Sequence, residues 1–191
     1  MIITFSGKSC SGKSSLAKYL NLLDNMSTYI SIDEVGHRVM TFDEIRNEVS
    51  KRLNIPIEEL NRKNLAKAVF NDPIKMDILT EITWGKMQEL IDDFISQNKD
   101  KNIILDWALI PKSKYFEMAD YNILIDSPFD ERLKRAEKRD DLNTEAFLER
   151  EKASLDYSNT QFDIIIENSD FEDAKKEVLK FYEESIISRK F

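Results

Sequence analysis

Gly7-Lys8-Ser9-Cys10-Ser11-Gly12-Lys13-Ser14 is a complete G-x-x-x-x-G-K-S run, preceded by the apolar stretch Ile2-Ile3-Thr4-Phe5 and followed by the helix-compatible Ser15-Leu16-Ala17-Lys18-Tyr19-Leu20. A strand, a glycine-bounded turn and a helix in that order are what a phosphate-binding loop requires. Gly7 and Gly12 let the backbone turn without Cβ clashes, so amide N–H groups can converge on phosphate oxygens while the helix N-terminus adds unpaired donors of its own. Two tasks remain for side chains. Lys13 is placed to reach the β- and γ-phosphates, and the Ser14 hydroxyl to ligate a bridging Mg2+. The loop, with Lys8, Ser9, Cys10 and Ser11 in its wall and Ser15 just beyond, therefore reads as a nucleoside-triphosphate site. Cys10 reads as a small loop side chain, because the sequence holds no second cysteine and its one histidine, His37, is far along the chain.

The bulk properties narrow the class. A chain of 191 residues with 41% hydrophobic content can bury one full core, and no repeat, low-complexity tail or Pro/Gly-rich linker divides it. A formal charge of -8 excludes a general nucleic-acid surface, which needs a concentrated positive patch, but leaves small anionic substrates open. One cysteine excludes an intrachain disulfide framework. The start Met1-Ile2-Ile3-Thr4-Phe5 has no basic prelude and no apolar run approaches about 18 residues, so the expectation is a cytoplasmic protein without stable membrane association.

Five short apolar segments, 2–6, 28–32, 102–106, 121–126 and 162–167, read as strands separated by helix-like periodicity. Strands alternating with helices imply an α/β fold with a five-stranded parallel sheet covered on both faces. Asp33, Asp106 and Asp126 fall at or just beyond the C-terminal ends of these runs, the rim where such sheets bind ligands. Thr41-Phe42-Asp43-Glu44 and Ser169-Asp170-Phe171-Glu172 resemble capping boxes, and Ser127-Pro128 places a cap before a proline suited to a first helical turn. The helical stretches between the second and third strands are too long for a simple crossover and mark a substrate-side region. Gly85, inside the longest of them, predicts either a bend or an ordinary tolerated glycine. The amphipathic segment 171–187 predicts a helix covering the sheet, with Phe171, Ala174, Val178 and Phe181 near one side.

Several side chains outside the loop carry alternatives. Asp33 either accepts or orients the hydroxyl proton of a phosphoryl acceptor or caps the helix after it. His37, four residues on, either contacts an acidic substrate or is an exposed helix residue. Asp106 suits a magnesium contact through water, an interaction with the acceptor, or a structural rim position, and Trp107 could set its indole beside the acceptor. Asp126 reads first as a cap. Arg132, Arg135 and Arg139 recur at i, i+3 and i+7 beside Lys134 and Lys138, either a lid that clamps triphosphate or a solvated face interlaced with Glu131 and Glu137. Arg62-Lys63 is a weaker acceptor-phosphate patch or simple surface charge. Phe70, Trp84, Phe94, Phe116, Phe129 and Phe162 read as packing residues.

In this order the segments resemble the dephospho-coenzyme A kinase family over nearly the whole chain. The resemblance rests on the Gly7–Ser14 loop, Ile32-Asp33-Glu34-Val35-Gly36-His37, the run from Arg62 to Pro73, Leu105-Asp106, the R-x-x-x-R-D spacing from Arg135 to Asp140, and Phe162-Asp163-Ile164-Ile165-Ile166-Glu167-Asn168-Ser169. It implies a three-layer P-loop kinase of one domain, 1–191, with a helical acceptor-binding region at about 34–99 and a lid at about 129–157. The implied activity is transfer of the ATP γ-phosphoryl group, with Mg2+, to the ribose 3′-hydroxyl of dephospho-coenzyme A. Asp33 would then be the acceptor-side base, Lys13 and Arg139 catalytic cations, Arg135 and Arg139 ATP contacts, and His37, Arg62, Asp106 and Trp107 acceptor contacts. Three features depart from the family pattern. Trp84-Gly85 replaces a His-Pro pair, Trp107-Ala108-Leu109-Ile110-Pro111 replaces a Pro-Leu-Leu-Phe-Glu run, and a glutamine after the lid is missing around Glu151-Lys152. A kinase of another nucleoside, nucleotide or small metabolite, or a nucleotide-binding regulatory protein without transfer activity, would share the loop.

Overall fold

Strands β1 (Ile2–Ser6), β2 (Ser27–Ser31), β3 (Asn102–Asp106), β4 (Tyr121–Asp126) and β5 (Ile164–Glu167) form one sheet in the order β2-β3-β1-β4-β5, every pairing parallel. The computed structural model describes residues 1–69, 72–140 and 143–188. Phe70, named above, Asn71 in the run from Arg62 to Pro73, and residues 141 and 142 in the segment 129–157 lie outside the described residues. The chain divides into two compact units, residues 1–31 with 98–191, which carry the sheet, and residues 32–97.

Alternation along the strands explains the layers of the first unit. Ile3 and Phe5 of β1 and Ile123 and Ile125 of β4 face one side, where they pack on Leu16, Ala17 and Leu20 of α1 (Lys13–Leu23) and on Ala174, Val178 and Phe181 of α9 (Phe171–Phe181). Thr4 and Asn122 alternate to the opposite side. There the Thr4 hydroxyl donates to Asn122 Oδ1 (2.6 Å) and Asn122 Nδ2 to the Phe116 carbonyl in α6 (Lys114–Met118), so a second helical layer covers that face. β1 is central, flanked by β3 and β4, and the glycine loop leaves from its C-terminal end, the ligand position of open parallel sheets. Asp24, almost fully buried, closes α1 and aligns β2: its carboxylate accepts from the Met26 amide (3.1 Å) and from Asn102 Nδ2 on β3 (2.6 Å).

The second unit is helical: α2 (Ile32–Val39), α3 (Asp43–Leu53), α4 (Arg62–Val69) and α5 (Pro73–Gln97), with α5 packed on the other three. Val49, Leu53, Leu60 and Val69 form its own core. Helix α5 continues through Gly85, so no break occurs where the glycine lowers propensity. Among the described residues no helix is long and apolar enough to cross a membrane.

Several boundaries differ from the sequence reading. Ile32 opens α2 instead of ending β2, because its buried apolar side chain suits either element and Asp33 and Glu34 behind it favour a first helical turn. Asp33 is thus inside that turn and is not its cap. Phe162 and Asp163 precede β5; Phe162 packs edge-on against Phe116 and Tyr157. Thr41 donates to the Arg38 carbonyl (2.8 Å), finishing the helix before it, and α3 starts without a side-chain cap. At α9 the cap is Asp170, which accepts from the Glu172 and Asp173 amides, while Ser169 turns back to Glu167. The last helix passes into a π-helical stretch at Tyr182–Ile187, and Phe171, 40% exposed, stays off its buried face.

A Cβ at Gly85 would meet nothing within 4 Å, so Gly85→Ala should raise stability by about 0.5–1 kcal/mol, read as a higher urea midpoint at unchanged slope. Asp24→Ala should lower it by about 1–3 kcal/mol, because the half-buried Asn102 side-chain amide loses its acceptor.

Candidate nucleotide site

Backbone geometry makes the loop between β1 and α1. Gly12 is left-handed (φ 92°), and a Cβ there would collide with Asn168 Nδ2. A Cβ on Gly7 would fall 2.6 Å from the Ile125 carbonyl oxygen. Cys10 also adopts a left-handed conformation (φ 62°) with a full side chain, which costs about 1–2 kcal/mol. Its sulfur is buried with Ala136 of α7 (Phe129–Asp140) and Phe147 of α8 (Thr144–Lys152), a contact that offsets the strain.

The carbonyls of the loop are held from behind. Arg132 Nη1 lies 3.5 Å from the Ser9 oxygen. Arg135 Nη1 donates to the Cys10 (3.4 Å) and Ser11 (3.3 Å) oxygens, and Asn168 Nδ2 donates to Ser11 at 2.6 Å. Arg135 is itself fixed by the Ser127 hydroxyl (3.1 Å) and the Asn168 carbonyl (2.8 Å). In a planar trans peptide the N–H points opposite to the C=O. Holding the Ser9 and Ser11 carbonyls outward therefore turns the Cys10 and Gly12 N–H groups to the other side, the arrangement an anion nest needs.

Lys13 and Ser14 begin α1, directly after the Gly12 turn. Lys13 Nζ is 3.0 Å from Oδ1 of Asp106, which is 1% exposed at the end of β3 and accepts a 2.7 Å hydrogen bond from the Tyr29 hydroxyl on its other oxygen. Oδ1 makes no well-directed hydrogen bond, so its link to Lys13 is an ion pair and the oxygen keeps accepting capacity. Ser14 is half-buried and Ser15 exposed.

A second set of contacts fastens the start of the loop. Glu151 of α8 accepts two hydrogen bonds from Arg132 (2.6 and 3.0 Å) and one from Lys8 (2.7 Å). Hydrogen bonding from Arg132 holds the Glu151 carboxyl below the usual carboxylate range; burial opposes this and Lys8 adds to it. The Tyr157 hydroxyl donates to the Ala108 carbonyl at 2.7 Å. Burial pushes its phenol up to about 12 against a hydrogen bond from the Gly7 backbone, so it remains a donor throughout the neutral range.

The proposed site residues divide between the two units. The loop, Asp106, the half-buried Trp107, Arg135 and the exposed Arg139 belong to the sheet unit. Asp33, His37 and Arg62 belong to the helical unit, all three exposed at the residue level. Within that unit His37 and Arg62 line one cavity of about 530 Å³, together with Arg46, Asn61 and the apolar Met40, Leu60 and Leu65. Arg46 is occupied there by the Leu60 and Ile57 carbonyls (3.3 Å each). Asp126, read as a cap, accepts from the next amide, Ser127 (2.9 Å), and Ser127 donates to Asn168 instead of capping α7. Among the described residues no group of three or more His, Cys, Asp or Glu side chains is placed to hold a metal. Sequence reasoning passed over Tyr29, Glu151, Tyr157 and Asn168. Asn168 lay in a quoted segment without a role, and Glu151 was noticed only where a glutamine was missing.

Two outcomes follow from these contacts. Glu151→Ala should cost about 3 kcal/mol at pH 7, since it strands the buried Arg132 guanidinium. The native Glu151 carboxyl titrates below its unfolded value, so its contribution is complete above the unfolded pKa of about 4.3 and is lost as pH falls through the folded one. The difference in melting temperature between parent and variant should therefore shrink on acidification below that point. Tyr157, with its folded pKa raised, contributes below about pH 10 and loses that contribution as pH rises through about 12. The destabilisation by Tyr157→Phe should accordingly fade in alkaline melts.

Comparison with known proteins places this geometry. A family model described as dephospho-CoA kinase matches residues 1–173. Dephospho-CoA kinase of Fusobacterium nucleatum is 28% identical over 96% of this chain and 97% of its own length, and that of Dehalococcoides mccartyi 26% identical over 91% and 92%. A Thermus thermophilus crystal structure superposes with a TM-score of 0.83 at 24% identity, covering 97% of both chains. A dephospho-CoA kinase structure from Campylobacter jejuni gives 0.62 at 21%, covering 96% of both, and these two likenesses speak for the fold. With the family match running through the loop, all five strands and the Asn168 segment, the chain belongs to the dephospho-CoA kinase family.

Proposed function

We propose that this chain carries out the reaction for which its family is named, transferring the γ-phosphoryl group of ATP to the ribose 3′-hydroxyl of dephospho-coenzyme A to give coenzyme A and ADP. The observation that carries the reading furthest is the outward fixation of the loop carbonyls by Arg135 and Asn168, which supports an anion site built for a polyphosphate. Lys13 follows the β- and γ-phosphates, exchanging Asp106 for them as charge develops on the transferring group. Arg139, on the exposed face of α7, is the cation assigned to the transferred phosphoryl, and Arg135 serves the nucleotide by shaping the loop.

Magnesium suits the residues present: the Ser14 hydroxyl is a hard oxygen donor in the first turn of α1, and Asp106 Oδ1 can accept from a metal-bound water. Bound there, it would neutralise charge on the phosphates and help orient them. Asp33 is assigned the acceptor hydroxyl: it accepts or orients the proton that leaves as the new P–O bond forms. His37 and Arg62, which share one cavity, are assigned to the acceptor's anionic and polar groups, Trp107 to a face of the acceptor near the sheet rim. The helical unit at 32–97 is thus the acceptor region and the segment 129–157 the lid of one kinase, acting in the cytoplasm.

The test is acceptor-dependent ADP formation with Mg-ATP, dephospho-coenzyme A being compared with a nucleoside and nucleotide panel and the product identified by mass. Selective formation of coenzyme A is expected; phosphorylation of another acceptor, or nucleotide binding without any transfer, would overturn the assignment. Asp33→Asn should lower kcat by about 10²- to 10⁴-fold while leaving Mg-ADP affinity near the parent value, and near-parent turnover would remove Asp33 from the chemistry. Lys13→Ala should abolish productive ATP use.

A further inference from the structure

The loop carries a second lysine. We propose that Lys8 is an additional polyphosphate-binding cation and that Glu151 is the residue that positions it, so that nucleotide binding proceeds with exchange of Lys8 from Glu151 to the phosphates. The inference rests on the phosphate-loop reading above and extends it to a variable position of the G-x-x-x-x-G-K-S signature, Lys8, and to Glu151 outside it.

Three observations carry it. Lys8 sits in the turn itself: its carbonyl accepts from the Ser11 amide (3.1 Å), so its backbone is part of the loop that forms the proposed anion nest. Its ammonium is 2.7 Å from Glu151, yet Glu151 is already held by a bidentate fork from Arg132 at 2.6 and 3.0 Å. The two cations are not equivalent. The Arg132 side chain is 5% exposed, tied also to the Ser127 carbonyl (3.0 Å) and set against the rings of Phe129 and Phe147 (5.8 Å to each centroid), whereas the Lys8 side chain is 34% exposed. Arg132 cannot leave without stranding a buried charge; Lys8 can turn to a new partner through solvent. A triphosphate brings several negative charges to the loop, against one carboxylate whose charge Arg132 already neutralises, so the exchange runs toward the nucleotide. Glu151 acts through Lys8 and touches no substrate.

The experiment is calorimetric Mg-ADP affinity for the parent, Lys8→Ala, Lys8→Arg, Glu151→Gln and the double variant, with kcat and KM for ATP alongside. Lys8→Ala should weaken ADP binding about three- to thirtyfold and raise KM for ATP more than it lowers kcat, and Lys8→Arg should restore affinity to within about twofold of the parent. Glu151→Gln keeps the shape, still accepts from Arg132 and releases Lys8, so it should tighten ADP binding, and the gain should vanish in the Lys8→Ala background. A purely structural clip gives the opposite sign, because loosening the loop weakens binding. Parent-like affinity in Lys8→Ala, unchanged or weaker affinity in Glu151→Gln, or a Glu151→Gln gain that persists without Lys8 would each overturn the proposal. Lys8→Ala, on the exposed half of the pair, decides the matter even where Glu151→Gln does not fold. Absence of ADP binding in the parent would instead sink the underlying nucleotide-site reading.

Discussion

Everything at the candidate site depends on which way three peptide carbonyls point. A glycine-bounded turn has many accessible conformations, and only those that turn several N–H groups inward bind an anion. Here Arg132, Arg135 and Asn168 hold the Ser9, Cys10 and Ser11 oxygens on the outer side. Two of these side chains come from α7 and the third from the residue after β5. The nest is therefore assembled by segments more than a hundred residues away in sequence, and the sheet exists, in functional terms, to bring those segments behind the loop.

The same arrangement explains why α7 and α8 are built into the candidate site. Cys10 tolerates a left-handed backbone because Ala136 and Phe147 bury its sulfur, and Glu151 joins Arg132 of α7 to Lys8 of the loop. A buried guanidinium with a matched carboxylate is a poor source of net stability but a strong determinant of geometry, since removing either partner is costly. Asp106 plays the corresponding part at the start of α1, keeping Lys13 near the loop through an ion pair whose carboxylate is oriented by Tyr29.

How much of this was legible in the sequence follows from the range of the interactions involved. The parallel five-stranded sheet and the phosphate loop rest on local patterns, apolar runs and glycines at fixed spacing, and both were readable. Boundaries failed where one residue suits two elements: Ile32 is as good at the start of α2 as at the end of β2, and Ser169 competes with Asp170 for a cap that Asp170 takes. The arginine spacing on α7 was visible, but its division of labour was not. Periodicity put Arg132, Arg135 and Arg139 on one face, whereas Arg132 is buried and Arg135 turned to the loop carbonyls by partners that no local pattern reveals. Tyr29, Glu151, Tyr157 and Asn168 were passed over for the same reason: each acts through hydrogen bonds to residues well separated in sequence, and nothing in the neighbouring residues announces its partners.

The measurement that bears most directly on carbonyl fixation is the Mg-ADP affinity of Asn168→Leu, which keeps a γ-branched side chain of similar shape and removes the donor to Ser11. Loss of this hydrogen bond leaves the Ser11 carbonyl with Arg135 alone and frees the Gly12 amide to rotate, so a Kd about tenfold weaker is expected, equivalent to about 1.4 kcal/mol. An affinity within about twofold of the parent, in a variant that remains folded, would contradict the claim that side chains behind the loop set its anion-binding form.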